Sequence, residues 1–483
     1  MLHHIIPQPN SLRFTGGLCP SQRPQIVLDN TVAPEGYCLT TAKEGIFIRC
    51  STEKGRFYAA QTLRQLRNSD GTLPCCVISD APRFPFRAFM LDSARHMQTV
   101  EEIKRIIDAA ALYKFNTFHW HLSDDQGWRI ESERFPLLNI FSSYRTMHGF
   151  GSLDRTRYGG FYTKDEIRAV VAYCEKRHIT VVPEIDLPGH TKAILAAYPA
   201  LSCRGSHLQP ETRAGVFRDI LCAGSDETFL FCCDLLDEVC ELFPGPFFHI
   251  GGDEAPKHRW RACERCKGRM AALHLDSFEA LQGDFINRLA EHLRQKGKRA
   301  ISWNESLQGG NLNPDVIAAD WMDREDLCAR RANSGSDVII EDFFHYYLDY
   351  PYAMTPLKKT YTFDPLPKGL TEKGKQHILG VETPLWTEFV EDFTHLCSMM
   401  FPRMMAVAER GWTKETLCDH ADFSRRAEAH RTMLQSMGIG MLPQASWDPQ
   451  PLLRLQKLAQ HYKKTFTKET ILSFLQPKDQ APD

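Results

Sequence analysis

The chain has 483 residues, 43% of them hydrophobic and 24% charged, with a formal net charge of −2. That is the make-up of a soluble globular protein with room for one large domain and smaller companions. The near-zero charge gives no ground for a nucleic acid or an anionic membrane as partner, and no apolar run approaches the ~20 residues of a membrane span.

The first ten residues, "MLHHIIPQPN", lack the basic region and long apolar stretch of a signal peptide. The chain is therefore expected in the cytoplasm, or in the periplasm or outside the cell if a signal has been removed. Its sixteen cysteines include adjacent pairs, Cys75-Cys76 and Cys232-Cys233, and others inside apolar runs such as "LLDEVCELF". Free cysteine behaves as a small core hydrophobe, and a chain this long can bury a core without disulfides. The pattern reads as a protein of a reducing compartment.

Residues 1–82 alternate short β-like runs ("PQIVLD", "GIFIRC", "CCVISD") with one helical run, "GRFYAAQTLRQLR". This predicts a small α+β domain, with "DAPRFPFR" as the linker to a second, larger one. From 83 to about 440 the rhythm changes. Short apolar runs recur, each ending in polar or aromatic residues: "AFMLDSAR", "FNTFHWHLSDD", "ITVVPEIDLPGH", "FFHIGGDE", "RAISWNES", "VIAADW", "DVIIED" and "HILGVETPLWTE". Amphipathic stretches such as "VEEIKRIIDAAALYK" and "TKDEIRAVVAYCEKRH" separate the early ones. Eight such units predict a (β/α)8 TIM barrel, although the units near 310–345 are too short for full helices. Residues 441–483 read as a C-terminal helical extension.

Chemistry in such a barrel sits at the C-terminal ends of the strands. These ends carry Asp92 and Arg95; His119, His121, Asp124 and Asp125; Asp186 and His190; His249, Asp253 and Glu254; and Trp303, Asn304 and Glu305. Trp321, Tyr347, Asp349, Trp386 and Glu388 follow. Any one acid is most simply a helix cap, and any one Trp is most simply core. Acids, an Arg and three Trp on one rim suit a sugar, whose C–H faces stack on indole while its hydroxyls need charged partners. Arg95 has a fork of donors that can grip two neighbouring hydroxyls. A rival reading takes His119-x-His121, with His190, His249 and Asp320, as a metal-dependent hydrolase. A non-catalytic sugar-binding barrel is a third. Cys263-x-x-Cys266 is a metal half-site for which the sequence offers no convincing second thiol pair, so it reads as a structural loop.

The run "HIGGDE" (249–254) resembles the signature of glycoside hydrolase family 20, the β-N-acetylhexosaminidases. "FMLDSARH", "FNTFHWHLSDDQGWRIE", "PEIDLPGH", "SWNE", "YYLDY", "LGVETPLWTE" and "FPRMMAVAERGW" resemble family segments in the family's order, over about residues 88–412. "IIPQPN" and "FYAAQTLRQL" resemble the family's small leading domain. One departure is "VETPLW", where an amide-rich stretch is common; it is expected to alter a wall of the pocket.

The resemblance implies a retaining exo-hydrolase acting on terminal β-linked N-acetylglucosamine or N-acetylgalactosamine, with no cofactor, no metal and a carbohydrate as its partner. It leaves the oligomeric state open. Glu254 would be the general acid/base and would sit against an apolar Trp wall. Asp253 and Tyr347 would hold the substrate's 2-acetamido group, which acts as nucleophile. Arg95 would bind O3 and O4, and Asp349 and Glu388 the O4 and O6 side. Trp303, Trp321 and Trp386 would form the walls, with Trp386 as the floor. Asp124 and His190 would relay to Glu254, with His249 behind them.

Overall fold

The computed structural model describes residues 3–20, 22–147, 154–323 and 325–465, with side chains to 460. The leading part is a five-stranded sheet of β1 (Ser11–Cys19), β2 (Gln25–Leu28), β3 (Tyr37–Ala42), β4 (Gly45–Cys50) and β5 (Leu73–Asp80), in the order β1-β5-β3-β4-β2. Helix α1 (Glu53–Leu66) buries Tyr58, Ala59 and Leu63 against it, and Thr52 caps its first turn. The sequence pattern marks β2, β4, β5 and α1; β1 and β3 lie in less regular stretches.

Eight parallel strands then close a barrel: β6 (Phe86–Asp92), β7 (Thr117–His121), β8 (Thr180–Glu184), β9 (Phe247–His249), β10 (Arg299–Trp303), β11 (Ile317–Asp320), β12 (Val338–Ile340) and β13 (Ile378–Leu385), which pairs back to β6. Seven fall within the apolar runs of the sequence, and β6 starts two residues before its run, in the stretch expected to be a linker. The intervening helices follow from local chemistry. In α2 (Val100–Leu112), Thr99 and Glu102 form a capping box, and Ile103, Ile106 and Ile107 face the strands. Thr163 and Glu166 do the same for α3 (Lys164–Glu175); such caps contribute ~1 kcal/mol each. Between β10 and β11 there is only the short turn Asn304–Leu307, and between β11 and β12 an eight-residue helix, Leu327–Ser334.

Strand alternation sorts the side chains into two cores. Phe86, Ala88, Val182, Ile301, Ile317, Ala319 and Ile339 fill the barrel, while Phe89, Phe118, Val181, Phe248 and Ala300 pack outward against the helices. The small sheet is locked to the barrel by a buried ion pair, Lys114 Nζ to Asp80 Oδ2 at 3.1 Å, which also takes the Trp412 indole N–H at 2.9 Å. Breaking such a pair from one side costs about 3–5 kcal/mol. Of the expected extension the structure describes the helix Pro451–Thr465, and residues 466–483 lie outside the described residues. No helix among the described residues is long and apolar enough to cross a membrane.

Candidate active site

Two steps beyond the apolar barrel filling on β8 and β12, at Glu184 and Glu341, the inward positions turn polar. Glu184, at the end of β8, is the centre of this layer. Its carboxylate accepts from His121 Nδ1 and from the Trp303 indole at 2.9 Å, and His119 Nε2 and His249 Nδ1 each stand 3.0 Å from it. His249 Nδ1 accepts from the Gly251 amide N–H at 3.1 Å. Burial would raise the Glu184 pKa, but the His121, His249 and His119 rings hold it well below the ordinary range. His119 passes its other nitrogen to Glu382 at 2.6 Å. Strands β7, β8, β9, β10 and β13 are thus tied together beneath the rim.

A second chain of contacts climbs to the rim. His121 Nε2 lies 2.9 Å from Asp124 Oδ2, and Asp124 Oδ1 lies 3.1 Å from His190 Nδ1. The far nitrogen of His190 stands 3.7 Å from Asp253 Oδ2 and 3.6 Å from Glu254 Oε2. Burial opposes a charge on His190, yet Asp124 and Asp253 lift its pKa well above the usual value. Burial, then the charge of Asp186, pushes Asp253 well above the carboxylate range. Asp186 is raised as well, chiefly by burial and against the pull of His190. Asp186 Oδ2 and Asp253 Oδ1 have no hydrogen-bond partner, and the two carboxyls come within 4.8 Å of each other, so the pair favours holding one proton between them.

The paired glycines of "HIGGDE" make this geometry possible. A Cβ on Gly251, where φ is +66°, would lie 1.7 Å from Asp186 Oδ1. The next amide, Gly252 N–H, donates to that same oxygen at 3.2 Å. Glu254 itself is held at φ 41°, a left-handed conformation that non-glycine residues seldom adopt and that clusters at functional sites. The turn separates the two acids: Asp253 is 7% exposed, whereas the Glu254 side chain is 39% exposed.

Opposite the acids stands an aromatic group. Trp321 stacks on Tyr347 with centroids 6.1 Å apart, and Trp386 lies 6.3 Å from Tyr347, its indole N–H toward the hydroxyl. The Trp321 N–H donates to Glu305 Oε2 at 2.8 Å. Burial and the Asp253 charge push the Glu305 pKa up to about 8. Arg95 lies 4.9 Å from the Trp386 ring centre. It is bound to Asp124 at 2.6 Å and Gln126 at 2.9 Å, while its Nη1 has only longer contacts, to Asp92 at 3.5 Å and Glu388 at 3.8 Å. Asp349 keeps one buried oxygen without a partner, and burial together with Glu388 raises its pKa well above normal.

The fold therefore brings Arg95, Asp124, His190, Asp253, Glu254, Trp321, Tyr347, Asp349, Trp386 and Glu388 to one rim. Four expectations need correction. Trp303 is 1% exposed and packs on His249 at 4.6 Å, so it backs the pocket instead of forming an open wall. Glu254 is not enclosed by an apolar Trp wall. The departure at "VETPLW" does not shape a wall either: Glu382 is 2% exposed and engages His119 inside the barrel. The full histidine set expected of a metal hydrolase is not brought together. His119 and His249 converge on Glu184, but His121 lies between Glu184 and Asp124, His190 groups with Asp124 and Asp125 and with Asp186 and Asp253, and Asp320 lies apart with Asp323 and Cys328. Sequence reading passed over Glu184, although a lone Glu on the inward side of "VVPEID" was the available signal.

The chain matches the family model "Glycosyl hydrolase family 20, catalytic domain" over residues 84–415, and "Glycosyl hydrolase family 20, domain 2" over residues 20–81. It is 40% identical to a beta-hexosaminidase of Porphyromonas gingivalis over 454 residues, covering 89% of this chain but only 58% of that protein. A beta-hexosaminidase of Akkermansia muciniphila is 33% identical, over 89% of this chain and 90% of its own. Among solved structures, the GH20 exo beta-N-acetylglucosaminidase of Vibrio harveyi in complex with N-acetylglucosamine superposes with a TM-score of 0.82 at 28% identity, over 92% of this chain and 78% of that one.

Proposed function

The chain belongs to glycosyl hydrolase family 20, and on that premise we propose that it removes terminal β-linked N-acetylhexosamine from glycans, with retention, using the substrate's own acetamido group as nucleophile. The observation that carries this reading is the divided environment of the adjacent acids, Asp253 buried and Glu254 open to solvent.

Glu254, on the open side, donates its proton to the glycosidic oxygen as the C1–O bond breaks. The acetamido carbonyl oxygen attacks C1 from the other face and forms an oxazolinium ion. Asp253 accepts the acetamido N–H and balances the positive charge that develops there. Tyr347 donates to the acetamido oxygen; burial, reinforced by Glu341, keeps its hydroxyl protonated. The Glu254 carboxylate then takes a proton from water, whose oxygen adds to C1 on the face the leaving group vacated and reopens the ring. Two inversions give net retention. Arg95, Asp349 and Glu388 are assigned to the sugar's hydroxyls, with Trp386 as the floor and Trp321 as a wall. Arg95 enters this role with one nitrogen loosely held, so it grips through Nη1 unless Asp124 releases it.

Sixteen free thiols support a reducing compartment for the protein. The decisive experiment compares a 2-acetamido aryl glycoside with its 2-hydroxyl counterpart. Only the former should turn over at an appreciable rate, and a thiazoline analogue of the oxazolinium should bind far more tightly than product. A 2-fluoro sugar that leaves a stable adduct on Asp253 or Glu305 would replace this mechanism with a two-carboxylate one.

A further inference from the structure

Cys263 and Cys266 do not stand alone. The sequence supplies no second CxxC, but the fold brings Cys203 and Cys222 to them from two other loops. The four sulfurs all lie within 4.8 Å of one another, and no other group of four thiols forms among the described residues. Sγ–Sγ separations are 3.8 Å for Cys203–Cys266, 3.8 Å for Cys222–Cys263 and 3.7 Å for Cys222–Cys266. These are too long for disulfide bonds. They equal the edge of a tetrahedron whose corners lie ~2.3 Å from a central zinc, which is about 3.8 Å. An iron–sulfur cluster would put several iron and sulfide atoms between the thiolates and spread them further.

We propose that Cys203, Cys222, Cys263 and Cys266 bind one structural zinc ion. Four thiolates in a closed tetrahedron leave no open position, so the ion has no part in the hydrolysis. Each thiol gives its proton to solvent on binding, and the site then carries two net negative charges beside the Arg265 guanidinium. The surroundings are those of a thiolate–metal site. Arg265 donates to the Cys263 sulfur and the Gly224 amide to the Cys266 sulfur. Gly224 must be glycine for the loops to meet, since a Cβ there would lie 2.3 Å from the Arg265 and Cys266 backbone. Ser202 bridges Leu221, and Arg265 Nη2 binds the Ser202 carbonyl at 2.8 Å, so the three loops are already in register.

The position gives the ion a purpose. Cys203 and Cys222 belong to the long excursion after β8, which carries His190, and Leu221 N–H binds the Pro188 carbonyl at 3.1 Å. Cys263 and Cys266 follow the turn that carries Asp253 and Glu254. The zinc staples these two excursions together outside the barrel, and so acts as a positioning element for the His190–Glu254 contact.

The test is metal analysis of the purified chain, prepared under reducing conditions without chelator. One zinc per chain is expected. Cobalt(II) exchanged into the site should give the intense sulfur-to-metal charge-transfer bands and visible d–d bands of a tetrahedral thiolate centre. Cys263→Ser/Cys266→Ser should lose both metal and bands. Cys203→Ser, at the half-buried corner, should surrender zinc to a chelator roughly tenfold faster or more. Zinc-stripped protein should melt earlier and show altered kcat and KM, whereas brief chelator treatment of the intact protein should leave activity unchanged. If reduced wild-type protein takes up neither zinc nor cobalt, or if peptide mapping finds these cysteines in disulfides that yield no metal site on reduction, the proposal fails. Stoichiometric iron in place of zinc overturns it equally. None of these outcomes depends on which glycoside the enzyme cleaves.

Discussion

The imidazole of His190 faces the carboxylate of Glu254 across 3.6 Å. The same nitrogen lies 3.7 Å from Asp253, while the other ring nitrogen is fixed 3.1 Å from Asp124. One buried cation therefore stands between the two acids that the proposed reaction uses in opposite states, one protonated and one ionised. The backbone turn at Gly251 and Gly252 lets both reach it from adjacent sequence positions.

Glu254→Gln should fold normally, because the side chain is 39% exposed and its removal empties no core. On an unactivated disaccharide, kcat should fall by roughly 10²–10⁴-fold, the usual worth of a general acid/base. Aryl glycosides with acidic leaving groups need less proton donation, so their glycosylation step should lose less. Near-wild-type turnover of the disaccharide would rule Glu254 out of this role.

Asp186→Asn probes the shared proton. Asp253 must ionise to balance the acetamido group, and after burial it is chiefly the Asp186 charge that holds its pKa up. Removing that charge makes Asp253 easier to ionise. The acid limb of the kcat/KM profile should therefore move to lower pH, while the alkaline limb stays where it is. An unmoved or rising acid limb would show that another group governs it.

Glu305→Gln addresses stability. Glu305 has a folded-state pKa of about 8 against an ordinary value of 4.5. Between those values the folded chain holds a proton that the unfolded chain has lost, so stability falls as pH rises through this window. Glutamine keeps the acceptor for the Trp321 N–H and removes the titration. The variant should lose less unfolding free energy than the wild type between pH 5 and pH 8, by on the order of a few kcal/mol at the upper end, and should show a correspondingly smaller fall in melting temperature. Parallel melting curves for the two proteins across that range would refute the assignment.

Trp386→Ala and Trp303→Phe should separate pocket from core. Trp386 is only partly buried, so its loss should weaken N-acetylglucosamine-type inhibitors in calorimetry while leaving the shape of the pH profile alone. Trp303 is buried, and its indole satisfies Glu184. Phenylalanine there leaves the carboxylate one donor short, at a cost of ~1–3 kcal/mol. Its main effect should be a lower melting temperature with inhibitor affinity largely kept. The reverse pattern would exchange the two roles.

Much of this architecture is legible in the amino-acid sequence. The eight apolar runs became the eight barrel strands because each buries two faces, and only near-continuous apolar sequence does that. The polar residues at their ends landed on one rim because parallel strands all end at the same side. What the sequence hid was distance. Nothing local links Glu184 to Trp303, or Cys203 to Cys266, and those contacts exist only once the strands are set side by side. The family resemblance cast Trp303 as a wall, yet strand parity turns it inward beside His249. The departure of "VETPLW" from the family's amide-rich stretch pointed to a changed pocket wall, and parity again sends Glu382 into the barrel.

Closure of the barrel between β6 and β13 has a consequence for synthesis. Phe86 through Leu91 pair on one side with the nearby β7 but on the other only with Gly380 through Leu385. A ribosome must therefore make nearly three hundred further residues, roughly 15–60 s at ordinary elongation rates, before the first barrel strand acquires its second neighbour. During that interval the nascent chain carries an open parallel edge, the kind of edge that invites foreign strands. The Arg426 guanidinium, which grips the Ile5 carbonyl at 2.9 Å, emerges later still. A translation-arrested fragment ending before Ile378 would lack both the last stave of the barrel and the indole of Trp386. Catalytic competence is thus acquired in one late step, and not built up strand by strand as the polypeptide leaves the exit tunnel.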